Sequence, residues 1–396
     1  MSARGSPVRW RGGALGSWSP AANGITTSPS TTRSTLRSPQ RSGPPGSATP
    51  AAASVEWTGR SQRVPDEFDD SEVIGLGSVE VEWCAPLDRD EPPVPRDLGH
   101  VDLPDGRSLA WAEYGHPEGD PVLWFHGTPG GRHQVPPAVD EVALRSGFRV
   151  IAVERPGTGM SSDHRYGRVA EFAPDVTALV DELGIDRFAI VGLSGGGPYT
   201  LAVAHELPDR VVVATLLGGF GPVRGVDAVH SYTRVFRFFA PGLELLRGPL
   251  GAAFSAVIRI ADPIAAPAFN VYANVFGFAD RSVLRRTGMR AMFLHDLLTA
   301  DDVRAAAHDL ALFTRHWGFE LADVEPPVVI WQGLADVIVP PSHGHHQAAR
   351  LQRGELHVRP GEGHFAGFVE VESVLGRVRE VWAGETAAPL STTRDD

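Results

Sequence analysis

One stretch, Gly192-Leu193-Ser194-Gly195-Gly196, constrains this chain more than any other. It joins an apolar run at 187–192, which reads as a buried strand, to a helix-period stretch at 196–206. A serine between small residues at such a junction implies a tight turn in which strand and helix nearly touch. The turn holds the serine in a strained backbone with its hydroxyl exposed. From residue 100 the rest of the chain keeps the same rhythm of short strands and helices, the signature of a mostly parallel sheet flanked by helices.

Residues 101–103 and 108–114 flank Asp105-Gly106, a hairpin turn. Further strands are expected at 121–125, 149–153, 211–217, 328–331 and 355–358, with helices near 169–183, 347–351 and 369–382. Between 221 and 325 the rhythm breaks into helical periodicity with aromatic clusters, among them Phe236, Phe238, Phe239 and Phe254. These aromatics read as the core of an inserted segment. Residues 1–95 form a disordered extension and linker: no acidic residue precedes Glu56, and Ser, Pro, Gly and Arg dominate the start. A short strand is expected at 78–83. The organisation is thus a core of 96–220 and 326–383, an insertion at 221–325, and a disordered tail at 384–396.

Hydrophobic residues make up 42% of the chain, enough for a sizeable core. The net charge of -12 and the lack of a basic cluster exclude nucleic acid as a partner and leave a small-molecule substrate. Cys84 is the single cysteine, so no disulfide forms within the chain. No apolar run reaches the length of a membrane span, and the protein is expected in the cytoplasm. Oligomeric state is not legible in the sequence.

A serine hydroxyl needs a base to act as a nucleophile, and the imidazole that serves it needs an acid to fix its tautomer. On a sheet of this kind the chain order is serine, then acid, then histidine. Asp336 in Gly333-Leu334-Ala335-Asp336 and His364 in Gly361-Glu362-Gly363-His364 supply that order, each on a loop past a strand. A tetrahedral oxyanion needs two aimed amides. One is assigned to Gly195 and the other to Thr128 in His126-Gly127-Thr128-Pro129-Gly130-Gly131, where Pro129 has no N–H to offer. Gly192 and Gly196 complete the turn around Ser194. No metal or organic cofactor is required. His343, His345 and His346 begin a helix and cannot converge on one ion, Arg155 reads as a structural salt-bridge partner, and Glu362 reads as solvent-exposed.

These motifs, together with Glu154-Arg155-Pro156-Gly157-Thr158-Gly159-Met160-Ser161, resemble the α/β-hydrolase superfamily over residues 100–383. The resemblance implies the α/β-hydrolase fold, a serine-nucleophile mechanism, and a helical cap formed by 221–325. Glu154 stands where such families usually carry Asp. Ser194 sets the chain apart from epoxide hydrolases and haloalkane dehalogenases, which need Asp there. The His126 segment resembles that of proline iminopeptidases, which usually carry Trp directly after the serine; Gly195 stands here instead. The implied activity is cleavage of a carboxylic ester or similar acyl compound. An aminopeptidase, a carbon-carbon hydrolase, a cofactor-free perhydrolase and a non-catalytic ligand sensor are the alternatives. Glu244 is the only carboxylate between Asp227 and Asp262, so an ammonium group would find little compensation there.

Overall fold

The computed structural model describes residues 91–235, 237–242, 245–246, 248–249, 277–299 and 304–387. The strands are β1 Asp97–Asp102, β2 Ser108–Gly115, β3 Asp120–Phe125, β4 Phe148–Val153, β5 Phe188–Leu193, β6 Val211–Leu217, β7 Val328–Gly333 and β8 Gly354–Arg359. They form one eight-stranded sheet in the order β1-β2-β4-β3-β5-β6-β7-β8. β2 pairs antiparallel with β1 and β4, and all pairings from β4 to β8 are parallel. This is the α/β-hydrolase fold.

The helices are α1 Val139–Ser146, α2 Ala173–Glu182, α3 Gly196–Glu206, α4 Phe278–Leu284, α5 Thr287–Thr299, α6 Arg304–Phe313, α7 Pro341–Arg350, α8 Ala366–Val369 and α9 Val371–Ala387. Parallel strands buried on both faces send alternate side chains to opposite layers. Leu123 and Phe125 of β3 accordingly join one core cluster with Phe172, Tyr199 and Phe313. Val122 and Trp124 join another with Phe148, Phe293 and Phe368. Among the described residues no helix is long and apolar enough to cross a membrane.

Several expectations need correction. α1 was not anticipated; it is only eight residues long and is stopped by Gly147, whose φ of 69° is left-handed. α9 continues to Ala387, past the expected start of the tail at 384, and an ion pair between Arg353 and Glu385 ties down its last turn. Phe238 and Phe239 are 70% and 61% exposed, so they are not core; the Arg237 guanidinium lies 4.9 Å from the Phe238 ring centre. The expected strand at 78–83, Phe236, Glu244 and Phe254 lie outside the described residues. The later helices of the 221–325 segment are integral to the fold. Leu284, Met289, Met292 and Phe293 enter one core cluster, and Leu312 and Phe313 the other.

Candidate active site

The turn between β5 and α3 places Ser194 at the carboxyl edge of the sheet. Its φ is 52°, the only positive φ at a non-glycine among the described residues. A β-carbon is disfavoured there by about 1–3 kcal/mol, and such strain persists only where the surroundings impose it. They do so through the Ser194 amide, which donates to Leu217 O at 2.9 Å, and Ser194 O, which accepts from Gly197 N at 3.0 Å. Close approach explains the small neighbours: a Cβ on Gly192 would lie 2.7 Å from Gly196 O, and one on Gly196 would lie 2.8 Å from His126 O. Ser194 is partly exposed and Gly195 is buried.

Asp336 and His364 are brought together from the loops after β7 and β8. His364 Nδ1 and Asp336 Oδ2 are 2.7 Å apart, and both residues are only 4% exposed. The other carboxylate oxygen of Asp336 accepts from Ile338 N and Val339 N, each at 2.8 Å, so the acid is locked toward the ring. Burial alone would lower the His364 pKa, but the Asp336 carboxylate, aided by Asp280, outweighs it and holds the imidazole above 6.5. Ser194 adjoins this pair through the end of β6: Leu217 accepts from its amide, and a Cβ on Gly218 would lie 3.1 Å from His364 Nδ1. No hydrogen bond joins Ser194 Oγ to His364 in this structure; such bonds often tighten only with substrate bound.

Gln134 staples the loop after β3. Its side-chain oxygen accepts from Gly127 N at 2.6 Å and its amide donates to Pro129 O at 3.1 Å. The loop thus turns Thr128 toward Gly195, where an added Cβ would lie 2.8 Å from Thr128 Cβ and closer still to its hydroxyl. That proximity leaves no room for a side chain at Gly195 unless Thr128 moves. Among the described residues neither the Thr128 amide nor the Gly195 amide has a protein acceptor.

Of the four described aspartates buried between β6 and β7, sequence reasoning missed the roles of three; the fourth, Asp227, accepts from Leu321 N at 2.6 Å. Asp280 of α4 accepts from Phe365 N at 3.0 Å, beside His364, and any Cβ on Gly363 would collide with its carboxylate. Burial raises the Asp280 pKa. Asp296 of α5 accepts from Gly131 N at 3.0 Å and His133 N at 3.2 Å; burial, with Glu154 nearby, pushes it up to about 7. Asp309 of α6 accepts from the Thr128 hydroxyl at 2.8 Å and from Arg155 at 2.9 Å. A signal was available, since each aspartate shares its helical face with buried apolar residues: Leu284 beside Asp280, Met292 and Phe293 beside Asp296, Leu312 and Phe313 beside Asp309.

The other polar residues singled out from the sequence have structural partners. Arg155 is buried and ion-paired with Asp309, as expected. His343 accepts from Gly221 N at 2.9 Å through Nδ1 and lies 2.9 Å from the Thr233 hydroxyl through Nε2; burial lowers it to about 4. His346 Nε2 meets Asp227 O at 3.0 Å. Among the described residues no group of three potential ligands is placed to hold a metal ion. Glu362 is half-buried against Arg359, at 3.4 Å, rather than solvent-exposed, because the guanidinium is three residues back along the same turn.

The family described as alpha/beta hydrolase fold matches residues 120–250. The dihydrolipoyllysine-residue acetyltransferase component of an acetoin cleaving system from Pseudomonas putida is 28% identical over 276 residues, covering 68% of this chain and 65% of that protein. A probable proline iminopeptidase from Streptomyces coelicolor is 29% identical over 132 residues, covering 31% of this chain and 40% of that one. The chain therefore spans less than two thirds of the length of either relative. Among solved structures, an alpha/beta hydrolase fold protein from Chitinophaga pinensis superposes with a TM-score of 0.54 at 20% identity, covering 74% of this chain and 98% of that one. Strand order, the turn at Ser194 and these likenesses agree on the fold: the chain folds as an α/β hydrolase, and its residues 120–250 match the model of that family.

Proposed function

We propose that the protein is a serine hydrolase that cleaves a carboxylic ester or similar small acyl compound through an acyl-enzyme. One observation carries the reading: a buried His364–Asp336 pair, 2.7 Å apart, adjoins a serine held at φ 52° on a strand-to-helix turn. Ser194 Oγ attacks the carbonyl carbon while His364 takes its proton. The oxyanion is met by the amides of Thr128 and Gly195. As the carbon–oxygen bond to the leaving group breaks, His364 returns the proton to the departing alcohol. Water, deprotonated by the same imidazole, then releases the acid and restores Ser194. Asp336 fixes the tautomer, with Nδ1 donating to it, and stabilises the imidazolium. The segment 221–325 serves as the cover over this site.

The likeness to a proline iminopeptidase raises an aminopeptidase as the rival. Such an enzyme must hold an ammonium group with a free carboxylate. Asp296 and Asp309 are each 3% exposed and accept from protein donors, which favours the ester reading; Asp280, 1% exposed, accepts from Phe365 N through one oxygen while the other has no hydrogen-bond partner among the described residues. Specificity constants on p-nitrophenyl esters and proline p-nitroanilide, with fluorophosphonate labelling of the wild type and Ser194→Ala, test both. Labelling lost in Ser194→Ala and esters turned over faster are the expected results. A better anilide replaces the ester reading, and an unlabelled wild type ends the serine mechanism.

A further inference from the structure

We propose that Asp309 is a positioning residue that fixes the Thr128 loop against the helix following Ser194 and so sets the spacing of the two oxyanion donors. The proposal rests on the serine-hydrolase reading above. The two amides come from separate elements, the loop after β3 and the start of α3; β3 and β5 pair only as far as Phe125 and Gly192, three residues short of each donor.

Asp309 supplies the link. One carboxylate oxygen accepts from the Thr128 hydroxyl at 2.8 Å and from Arg155 Nη2 at 2.9 Å. The other accepts from the Tyr199 hydroxyl at 2.5 Å. Tyr199 lies one turn past Gly195 on α3, so a single carboxylate bridges the two donor segments. Arg155 reinforces the bridge. Its guanidinium donates to His126 O, to Gly127 O at 2.9 Å and to Thr128 Oγ1 at 2.9 Å, while resting 4.9 Å from the centre of the Tyr199 ring. Every carbonyl leading into Thr128 from His126 is thereby held.

Burial makes the arrangement rigid. Arg155 is 2% and Asp309 3% exposed, and Tyr199 is 1% exposed. Such a charge pair must be satisfied in place, because either partner alone would be left uncompensated in a medium that cannot solvate it. Both oxygens of Asp309 are committed to protein donors, so it neither touches substrate nor exchanges protons with it. Its effect reaches the reaction through Thr128.

A purely structural ion pair and a positioning one respond differently to replacement. Apolar residues of similar volume in place of a buried pair are often neutral for stability. They cannot anchor a hydroxyl. The experiment compares Thr128→Val, Thr128→Ser and Arg155→Met/Asp309→Leu for kcat and KM on a p-nitrophenyl ester, fluorophosphonate labelling rate and Tm. Thr128→Val leaves the ion pair and the amide but removes the anchored hydroxyl. It is expected to lower kcat about 10-fold to 100-fold, with KM within about threefold, as misplacement of an oxyanion donor does. Thr128→Ser keeps the hydroxyl and should recover most of the kcat that Thr128→Val loses. The double variant also leaves the Tyr199 hydroxyl and the His126 and Gly127 carbonyls without these partners, so its Tm should fall, and where it folds it should show the low kcat and slow labelling of Thr128→Val. Wild-type kcat in Thr128→Val, or in a folded double variant, overturns the proposal. If the double variant does not fold, the two Thr128 variants decide alone. A wild type that the probe does not label removes the serine-hydrolase reading, and this proposal with it. A labelled wild type with a fully active Thr128→Val removes only the role of Asp309.

Discussion

Replacing Gly195 by alanine adds one methyl group at the tightest point of the site. The backbone there is right-handed, with φ -63°, so no conformational strain complicates the result. The added Cβ would lie 2.8 Å from Thr128 Cβ and 3.2 Å from Phe313 Cε2. Ordinary contact begins near 3.4 Å, so Thr128 Cβ must retreat by about 0.6 Å, and rotating its side chain does not help because Cβ lies on the backbone. The hydroxyl, closer still, is tied to Asp309 and Arg155. The loop therefore moves as a unit and carries its amide away from the oxyanion. Displacement on this scale is expected to lower kcat by about 10-fold to 100-fold while KM changes little, with a stability loss of about 1–3 kcal/mol from overpacking. Steady-state kinetics on p-nitrophenyl esters and a thermal melt measure both. Wild-type kcat in a stable Gly195→Ala would refute the reasoning, since it would mean that the Thr128 amide is not held in a required place.

Ser194→Ala and His364→Ala should each lower turnover by about four to six orders of magnitude, and Asp336→Asn by about three to four, in variants that stay folded by circular dichroism. Because His364 must be neutral to accept the serine proton, kcat/KM should rise with pH and level off only above 6.5, where its raised pKa lies. Asp280→Asn removes a negative charge that favours the imidazolium, so the same limb should move to lower pH; an unmoved limb would show that Asp280 only holds the loop. For acyl chains, each buried methylene contributes about 0.8 kcal/mol, so efficiency on p-nitrophenyl esters should climb several-fold per carbon for as long as added carbons are buried. A flat series would show that the acyl chain gains no apolar contact.

The fold, and the placement of Ser194, Asp336 and His364 at one edge of the sheet, were legible because both are written locally. Strand periods at 211–217 and helix periods at 196–206 coincide with β6 and α3 as they stand, and a serine between glycines needs no partner in sequence to declare its turn. Asp336 and His364 announced themselves by position past a strand. The supporting shell was less legible. Asp280, Asp296 and Asp309 are meaningful only through partners at Phe365, Gly131 and Thr128, pairings that no helical period encodes. α1 escaped notice because eight residues with three buried positions give too short a stripe to read. Exposure of Phe238 and Phe239 failed expectation for a related reason: aromatic content says that a surface is apolar, not what it faces.

The parallel register has a consequence for synthesis. β6 pairs with β5 from the nearby chain, but its other edge waits for β7, so that Leu217 meets Trp331 only after more than a hundred further residues have been made. At about 5–20 residues per second, the ribosome takes roughly 10–30 s to pass from Ser194 to His364. From the completion of β6 until β7 is made, all seven residues of β6, each buried in the finished protein, border an open sheet edge. The nascent chain therefore carries Ser194 without His364, beside an adhesive strand. Slowing translation between β6 and β7 should increase its capture by chaperones, and under the mechanism proposed above no hydrolysis can precede the emergence of the last strand and the loop beyond it.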